Sequence, residues 1–404
     1  MHVDVLGAGV VGATTAYYLA ERGHSVSLID RSESVASATS FANGAQLSYS
    51  YTDSLARPEF LPRIPSLVLG LDPAVRVRLL SGAGLYTWGL RFLLQCTHGK
   101  AKANTLAVLE LALRSAELLD TLQSAVGLEF SYRQAGKLVL LTHESELAGA
   151  KERARWKRSA GCETRVVSYS EALGLEPTLA AMEQSYAGAI YSPRDEVGDA
   201  RQFAAGLTDW LGSHRAVNVR LGETVLGLVT QGGALQAIQT DRGQLSVDAA
   251  IVCLGPWSQA LLRPSGVSVS IYPVRGYSVT LPHGPDAPRT SITDLAHRIV
   301  FSNLPQGVRI AGFADFVGED HRNDSLRLEK LLETAQRVAP RAADYSSLEQ
   351  NGWAGSRPVT PDSRPIVGPT ATDGLYLNVG HGVLGWTLAC ATASDVVQML
   401  SEKV

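Results

Sequence analysis

The sequence predicts a mixed α/β protein, α+β over its whole length, that opens with a parallel βαβ unit and interleaves it with a second, strand-rich unit. Three observations predict this. The chain has 404 residues, more than one hydrophobic core usually serves, so two domains are expected. Its first thirty residues run strand, glycine-rich turn, helix, strand. A strand, glycine-rich turn and helix also return near the C-terminus, and no tandem repeat or low-complexity linker separates the parts. The chain is therefore expected to cross between its units more than once.

Each element has its own signal. His2–Leu6 is a short strand, Gly7–Gly12 a turn, Ala13–Arg22 a helix ending near Gly23, and Val26–Ile29 the next strand, closed by Asp30. The uncharged run Val5–Ala20 is thus expected to be strand, loop and helix, not a signal peptide or a membrane span. Helical signals dominate from Leu61 to about Val126. Lys137–Thr142 reads as a strand, Glu144–Ser159 as a charged amphipathic helix and Asp199–Ser213 as a further helix. Val217–Val229, Leu235–Thr240 and Gln244–Val247, with turn residues between them, suggest a β-meander. Ala249–Leu254 is a near-continuous apolar run, as for a strand buried on both faces. Residues 268–315 alternate as strands do, Asp324–Arg337 is helical, and Leu375–Val379 leads through a glycine-rich turn into a helix over Trp386–Ser401.

Composition excludes several classes. Hydrophobic residues are 45% and charged residues 19%, as in an ordered globular protein. The formal charge of −3, with no long run of Lys or Arg, gives no sign of a nucleic-acid partner. Cys96, Cys162, Cys253 and Cys390 lie far apart without C-x-x-C spacing, which argues against a disulfide framework or a metal site and fits a reducing cytoplasm.

Gly7-Ala8-Gly9-Val10-Val11-Gly12 is the G-x-G-x-x-G fingerprint of a Rossmann-type dinucleotide site. The first glycine permits the tight turn, the second admits a pyrophosphate, and the third lets helix pack on strand. The hexapeptide alone is weak. Here it follows a strand, opens a helix and has Asp30 beyond it at the end of the second strand, where a carboxylate can accept ribose hydroxyls. Thr39-Ser40-Phe41-Ala42-Asn43-Gly44-Ala45-Gln46-Leu47 offers small and amide side chains suited to a phosphate and a flat polar ring, although a plain surface loop has the same composition. Gly380-His381-Gly382-Val383-Leu384-Gly385-Trp386-Thr387 could present backbone N–H groups to an electron-rich carbonyl. Arg357 precedes Pro358 and is held extended, which suits bidentate capture of a carboxylate; an arginine in such a setting is more often an ion-pair residue.

Together with Tyr272-Pro273-Val274-Arg275-Gly276-Tyr277-Ser278 and Arg357-Pro358-Val359-Thr360-Pro361-Asp362, these blocks run in order over nearly the whole chain. They resemble the D-amino-acid-oxidase-like flavoproteins, and within them the bacterial D-amino acid dehydrogenases. The resemblance implies non-covalent FAD in a domain of residues 1–48, 143–265 and 350–404. It implies a substrate domain of residues 49–142 and 266–349, whose antiparallel sheet roofs the flavin. Gly7 to Gly12, Asp30, Arg31 and Ser32 would serve the adenosine and pyrophosphate, with Val225 at the adenine. Thr39, Ser40, Asn43, Gly44, Ala45, Gln46 and Leu47 would lie along the dinucleotide. Cys253, Leu254, Gly255 and Trp257 would pass near it, and Gly382, Val383, Leu384, Gly385, Trp386 and Thr387 would meet the flavin pyrimidine edge. Arg357 would clamp the substrate carboxylate, Tyr277 would add a hydroxyl, and Tyr51 would line the pocket.

The implied reaction is oxidation of a small D-amino acid by hydride transfer from the α-carbon to flavin N5, giving an imino acid that hydrolyses to a 2-oxo acid and ammonia. D-proline, hydroxyproline, sarcosine and glycine are rival substrates, because few contacts separate such pockets. A flavoprotein subunit without its own catalysis is a non-enzymatic rival, and Arg357 and Tyr277 speak against it. The late turn at Gly380 disfavours a purely NAD-dependent enzyme. His381 is the base the residues offer, in a kind of turn where histidine is more often structural. Electrons would pass to a quinone or a partner protein at the cytoplasmic membrane face, with apolar Ile64–Leu69, Leu79-Leu80 and Phe92-Leu93-Leu94 available for peripheral contact. Two departures from the dehydrogenase pattern lie near the site: Gly44-Ala45 stands where Ala-Gly is usual, and Arg275 where lysine is usual. The loop Tyr49–Pro62, expected to form a lid with Tyr49 and Tyr51 facing inward, also diverges.

Overall fold

Residues 1–215, 217–318, 324–347 and 351–402 are described by a computed structural model. Two sheets organise them. The first has six strands in the order Ile366–Pro369, Leu375–Val379, Ala249–Val252, His2–Leu6, Ser25–Ile29 and Val217–Arg220. All its pairings are parallel except that of the edge strand Ile366–Pro369. Val3, Val5, Val26, Leu28 and Ile251 point to one face, where they meet the helices Val10–Glu21, Ala200–His214 and Gly385–Ser401. Leu6, Ile29 and Val252 point to the other, beneath Leu235 and Ile238 of a three-stranded meander. Burial on both faces is why Ala249–Val252 reads as an unbroken apolar run.

The second sheet has nine strands. Eight run in the order Asn351–Val359, Tyr272–Leu281, Gly307–Phe316, Ile299–Leu304, Ser291–Asp294, Lys137–Leu141, Gly188–Ser192 and Arg165–Ser168, and Val75–Val77 pairs beside Gly307–Phe316. It is largely antiparallel. Two of its pairings are parallel, so the sheet is mixed rather than purely antiparallel as expected. Val279, Ile292, Phe301, Ile310, Leu138 and Leu140 bury one face against the helix Asp324–Val338. Ser278, Ala311, Val300 and Thr293 lie in the opposite parity and roof the cavity described below.

Three expectations need correction. Val217–Val229 is not one strand: Gly222, at φ 62°, turns the chain. Val217–Arg220 then joins the parallel sheet, and Val225–Gln231 starts the meander. The helical stretch after Leu61 is interrupted by Val75–Val77, which pairs with Ala314–Phe316. The domain boundaries also shift. Arg165–Ser168, Gly188–Ser192 and Asn351–Val359 were expected with the cofactor domain but hydrogen-bond into the nine-stranded sheet, because Val167 and Ala189 enter its core. Conversely the helix His98–Val126 buries Val108, Ala112, Leu119 and Leu122 in the core of the parallel sheet. Val5–Ala20 is strand, turn and helix, and among the described residues no helix is long and apolar enough to cross a membrane.

Candidate active site

A cavity of about 1140 Å³ runs between the two sheets, from Asp30, Val225 and Trp257 at one end to Tyr277 and Arg357 at the other. That is above the usual range for a drug-sized ligand, roughly 300–1,000 Å³. At the first end Gly7 adopts φ 108°, and a β-carbon there would stand 2.8 Å from the Cys253 carbonyl oxygen. A β-carbon at Gly12 would stand 1.7 Å from the Gly7 carbonyl oxygen, so turn and helix can close only without side chains at these positions. Gly9 caps the helix Val10–Glu21 without a side chain of its own, and Ser40 Oγ accepts from the Val10 amide at 3.1 Å. Asp30 accepts from the amides of Ala8 (2.7 Å) and Ser32 (2.8 Å), which fixes its carboxylate at the strand end. Arg31 lies over the Trp257 ring at 4.4 Å and walls the outer end. A capless helix start, a glycine at its mouth and a fixed carboxylate at the second strand fit a dinucleotide.

The segment from Ala42 to Ser48 then crosses under the roof, tied to it strand by strand. Ser278 Oγ donates to the Ala42 carbonyl, Ser302 Oγ to the Gly44 carbonyl (2.8 Å), and Gln46 Nε2 to Ser291 Oγ. Asn43 Oδ1 accepts from the Ala45 amide, which supports the left-handed Ala45 at φ 54°. Thr39 Oγ1 donates to the Ser356 carbonyl (2.8 Å) and so links this segment to the strand that carries Arg357.

At the far end Arg357 is half-buried. Its Nη1 donates to the Phe313 carbonyl at 2.7 Å and its Nη2 approaches the Gly312 carbonyl at 3.5 Å. Among the described residues it has no carboxylate within ion-pair distance. Burial lowers its pKa to about 10, with Asp315 and Tyr277 acting in the opposite sense, so it stays charged at neutral pH. Tyr277 borders the cavity but is only 1% exposed, and its hydroxyl donates to Asp315 Oδ2 at 3.0 Å. Its one proton is therefore committed, which corrects the expectation of a second donor beside Arg357. Tyr51 lines the cavity with its ring 4.6 Å from the Lys137 ammonium, whereas Tyr49 is buried and donates to Glu196 at 2.8 Å.

The helix Gly385–Ser401 aims its N-terminus at the same cavity, with no side-chain cap. His381 sits beside it, 5% exposed, with Nε2 3.0 Å from Thr392 Oγ1. Thr392 Oγ1 donates in turn to Leu388, so Nε2 is assigned the proton. Burial lowers the His381 pKa to about 4, which leaves the ring neutral.

Most of the expected residues line the cavity. Ala8, Gly12, Ala45, Leu47 and Thr387 do not; they form the layer behind it. Leu47 is core, and Thr387 Oγ1 accepts from the Ser48 amide at 3.0 Å. Arg275 is also absent from the lining and pairs with Asp324 instead. Gly44, by contrast, faces Val300 and Ala311 of the roof. Sequence reasoning missed Lys137, Phe313 and Asp315. Lys137 is the one with a signal, a lysine heading an apolar strand whose five residues are all buried. It lines the cavity and donates to Gln46 Oε1 (2.7 Å) and Ser48 Oγ (2.8 Å), and burial lowers its pKa to about 8.

A dinucleotide half joined by one cavity to a sheet-held arginine defines an oxidoreductase that works on a bound nucleotide cofactor. More narrowly, the chain belongs to the DAO family of FAD dependent oxidoreductases, whose model matches residues 2–399. D-amino acid dehydrogenase 2 of Ralstonia nicotianae is 36% identical over 412 residues, covering 100% of this chain and 97% of the relative. D-amino acid dehydrogenase of Vibrio cholerae is 33% identical over 404 residues, covering 100% and 95%. Among solved structures, L-proline dehydrogenase from P. horikoshii matches with a TM-score of 0.77 at 17% identity, covering 100% of this chain and 93% of that one. Glycine oxidase from Geobacillus kaustophilus matches with 0.75 at 21%, covering 99% and 94%. At such identities the structures share the fold.

Proposed function

We propose that this chain oxidises small D-amino acids at the α-carbon to the imino acid, which water converts to a 2-oxo acid and ammonia. The observation that carries the reading is Arg357: a half-buried guanidinium, charged, facing the cavity, with backbone carbonyls as its only described partners. A half-buried cation without an acid invites an anionic ligand. The choice of D-amino acids is supported by the relatives' names at 33–36% identity over the full chain.

Bound FAD supplies the two-electron acceptor. Gly7 to Gly12 and Asp30 would hold its adenosine and pyrophosphate, the Thr39–Leu47 segment its length, and the amides at Gly382–Trp386 its electron-rich edge. Arg357 would take the substrate carboxylate in a bidentate pair and so fix the direction of the α C–H bond. Tyr51 would close the opposite wall. Tyr277 braces Asp315 and contributes surface. His381, whose pKa burial lowers to about 4, is a weak base at neutral pH, so the amine would enter deprotonated.

Electron exit to a quinone or a partner protein is supported by the apolar side chains exposed between residues 61 and 94, among them Leu69 (72%), Leu71 (70%), Leu80 (88%) and Leu90 (62%). These would touch a membrane surface or the acceptor from the cytoplasmic side. Cosedimentation with anionic vesicles, lost in Leu80→Glu, checks that part.

Arg357→Leu tests the central assignment. Removing one partner of a buried charged pair costs about 2–5 kcal/mol, so KM for D-alanine should rise at least about 30-fold with flavin content unchanged. An unchanged KM would remove Arg357 from the site.

A further inference from the structure

The strand Gly307–Phe316 leaves regular pairing at one place. Tyr277 pairs with Gly312 and Arg275 with Asp315, so this strand spends one residue more than its partner. The extra residue makes a bulge, and Phe313 within it stands at φ 60° while only 3% exposed. A bulky side chain rarely adopts that conformation, and one that does is held there by its surroundings.

The bulge has a visible product. It turns the Phe313 carbonyl out of the ladder to accept from Arg357 Nη1 at 2.7 Å. The Phe313 amide donates to the carbonyl of Arg298 at 3.2 Å. Arg298 is itself left-handed, at φ 55°, and its guanidinium is fastened to Asp72 by two bonds of 2.9 and 3.1 Å. From the other side, Gly276 leaves the space in which the Arg357 guanidinium lies. One residue beyond the bulge, Asp315 accepts from Tyr277 and Arg327.

We propose that the Phe313 bulge is a positioning device for the carboxylate-binding arginine. It takes one edge of the guanidinium, so that the group has a single orientation and presents its remaining N–H donors to the substrate. Asp72 and Arg298 hold the bulge in register from behind. Phe313 is thus a positioning residue that acts through Arg357, and the inference rests on the reading of Arg357 as the carboxylate site. A bulge that merely relieved sheet twist would affect stability without favouring one edge of this arginine.

The test compares Phe313→Val, Phe313→Gly and Arg357→Leu as holoenzymes. The readouts are flavin content, thermal midpoint, kcat and KM for D-alanine, and the dissociation constant of acetate followed by the flavin absorbance. Valine resists a left-handed backbone, whereas glycine adopts it freely. Phe313→Val should raise KM and the acetate constant about tenfold, the value of one charge-assisted hydrogen bond, with kcat changed less than about threefold. Phe313→Gly, although it removes more side chain, should raise both constants less than Phe313→Val does. Equal effects of valine and glycine would overturn the proposal, since packing rather than backbone geometry would then be responsible. An unaltered KM in Phe313→Val beside a raised one in Arg357→Leu would overturn it too, while leaving the arginine's role intact. If Arg357→Leu changes nothing, both fall. Should Phe313→Val fail to fold, Asp72→Asn decides: releasing Arg298 should raise KM about threefold or more at an unchanged flavin content, and no change overturns the proposal.

Discussion

The guanidinium carbon of Arg357 lies where a side chain at Gly276 would have to be: a β-carbon at Gly276 would stand 2.3 Å from it. The two residues sit on neighbouring strands, Gly276 opposite Gly355 and Arg357 two residues further along. The arginine thus lies flat across a strand that has been cleared for it. Gly276→Ala should displace the guanidinium from its carbonyl anchors and raise KM for D-alanine by at least about tenfold. FAD content should be unchanged, because Gly276 is remote from the fingerprint. Steady-state kinetics with a flavin count on the same sample checks both halves.

Asp30 carries the opposite end of the cavity. Its two carboxylate oxygens accept from the Ala8 and Ser32 amides at the end of the second strand. If Asp30 takes the ribose as proposed, Asp30→Ala removes that acceptor and frees both amides, a loss of about 2–3 kcal/mol in cofactor binding. The FAD dissociation constant should rise roughly 30- to 150-fold. Titration of apoprotein with FAD, followed by flavin fluorescence, gives the number.

Lys137 makes a prediction about pH. Its pKa falls from the ordinary 10.5 to about 8 because it is buried. The unfolded chain therefore holds this proton more tightly than the folded one. The deficit is complete below pH 8, about 3 kcal/mol, and vanishes as pH rises through 10.5. Lys137→Met lacks it, so the stability of the parent relative to this variant should improve by about 2 kcal/mol between pH 7 and 9.5. Chemical denaturation at the two pH values measures the gap. A gap that does not move with pH would mean that the ammonium is not desolvated as described.

His381 makes a negative prediction. A ring with a pKa of about 4 and its Nε2 bonded to Thr392 does not titrate near neutrality. His381→Asn should leave the shape of the kcat/KM profile between pH 6 and 9 unchanged, whatever it does to stability. The disappearance of a limb of that profile would restore the histidine to the chemistry.

How much of this was legible in the sequence follows from how far apart the deciding residues lie. Gly7 to Gly12 and Asp30 were readable because strand, turn, helix and strand are consecutive, and local spacing fixes their geometry. The extended backbone of Arg357 was readable because it precedes Pro358, and it lies in the strand Asn351–Val359. Arg275 and Tyr277 were not. Whether a strand residue faces the cavity depends on parity: Arg275 and Tyr277 share the parity of the buried Val279, and the partner strand shifts its register at a bulge 36 residues away in sequence from Tyr277 to Phe313. The same bulge hid Phe313 and Asp315, neither of which carries any local mark. Strands such as Arg165–Ser168 and Gly188–Ser192 went to the wrong unit because sheet membership is decided by distant hydrogen bonds, not by the order of the chain.

The most direct test of the central claim is an anaerobic visible spectrum of the purified holoenzyme before and after adding D-alanine, D-proline or their L-enantiomers. The account predicts a flavin band that bleaches with D-alanine, stays with L-alanine, and in Arg357→Leu bleaches only at far higher substrate concentration. A flavin band that no D-amino acid bleaches, or one that the L-enantiomers bleach as readily, would contradict it.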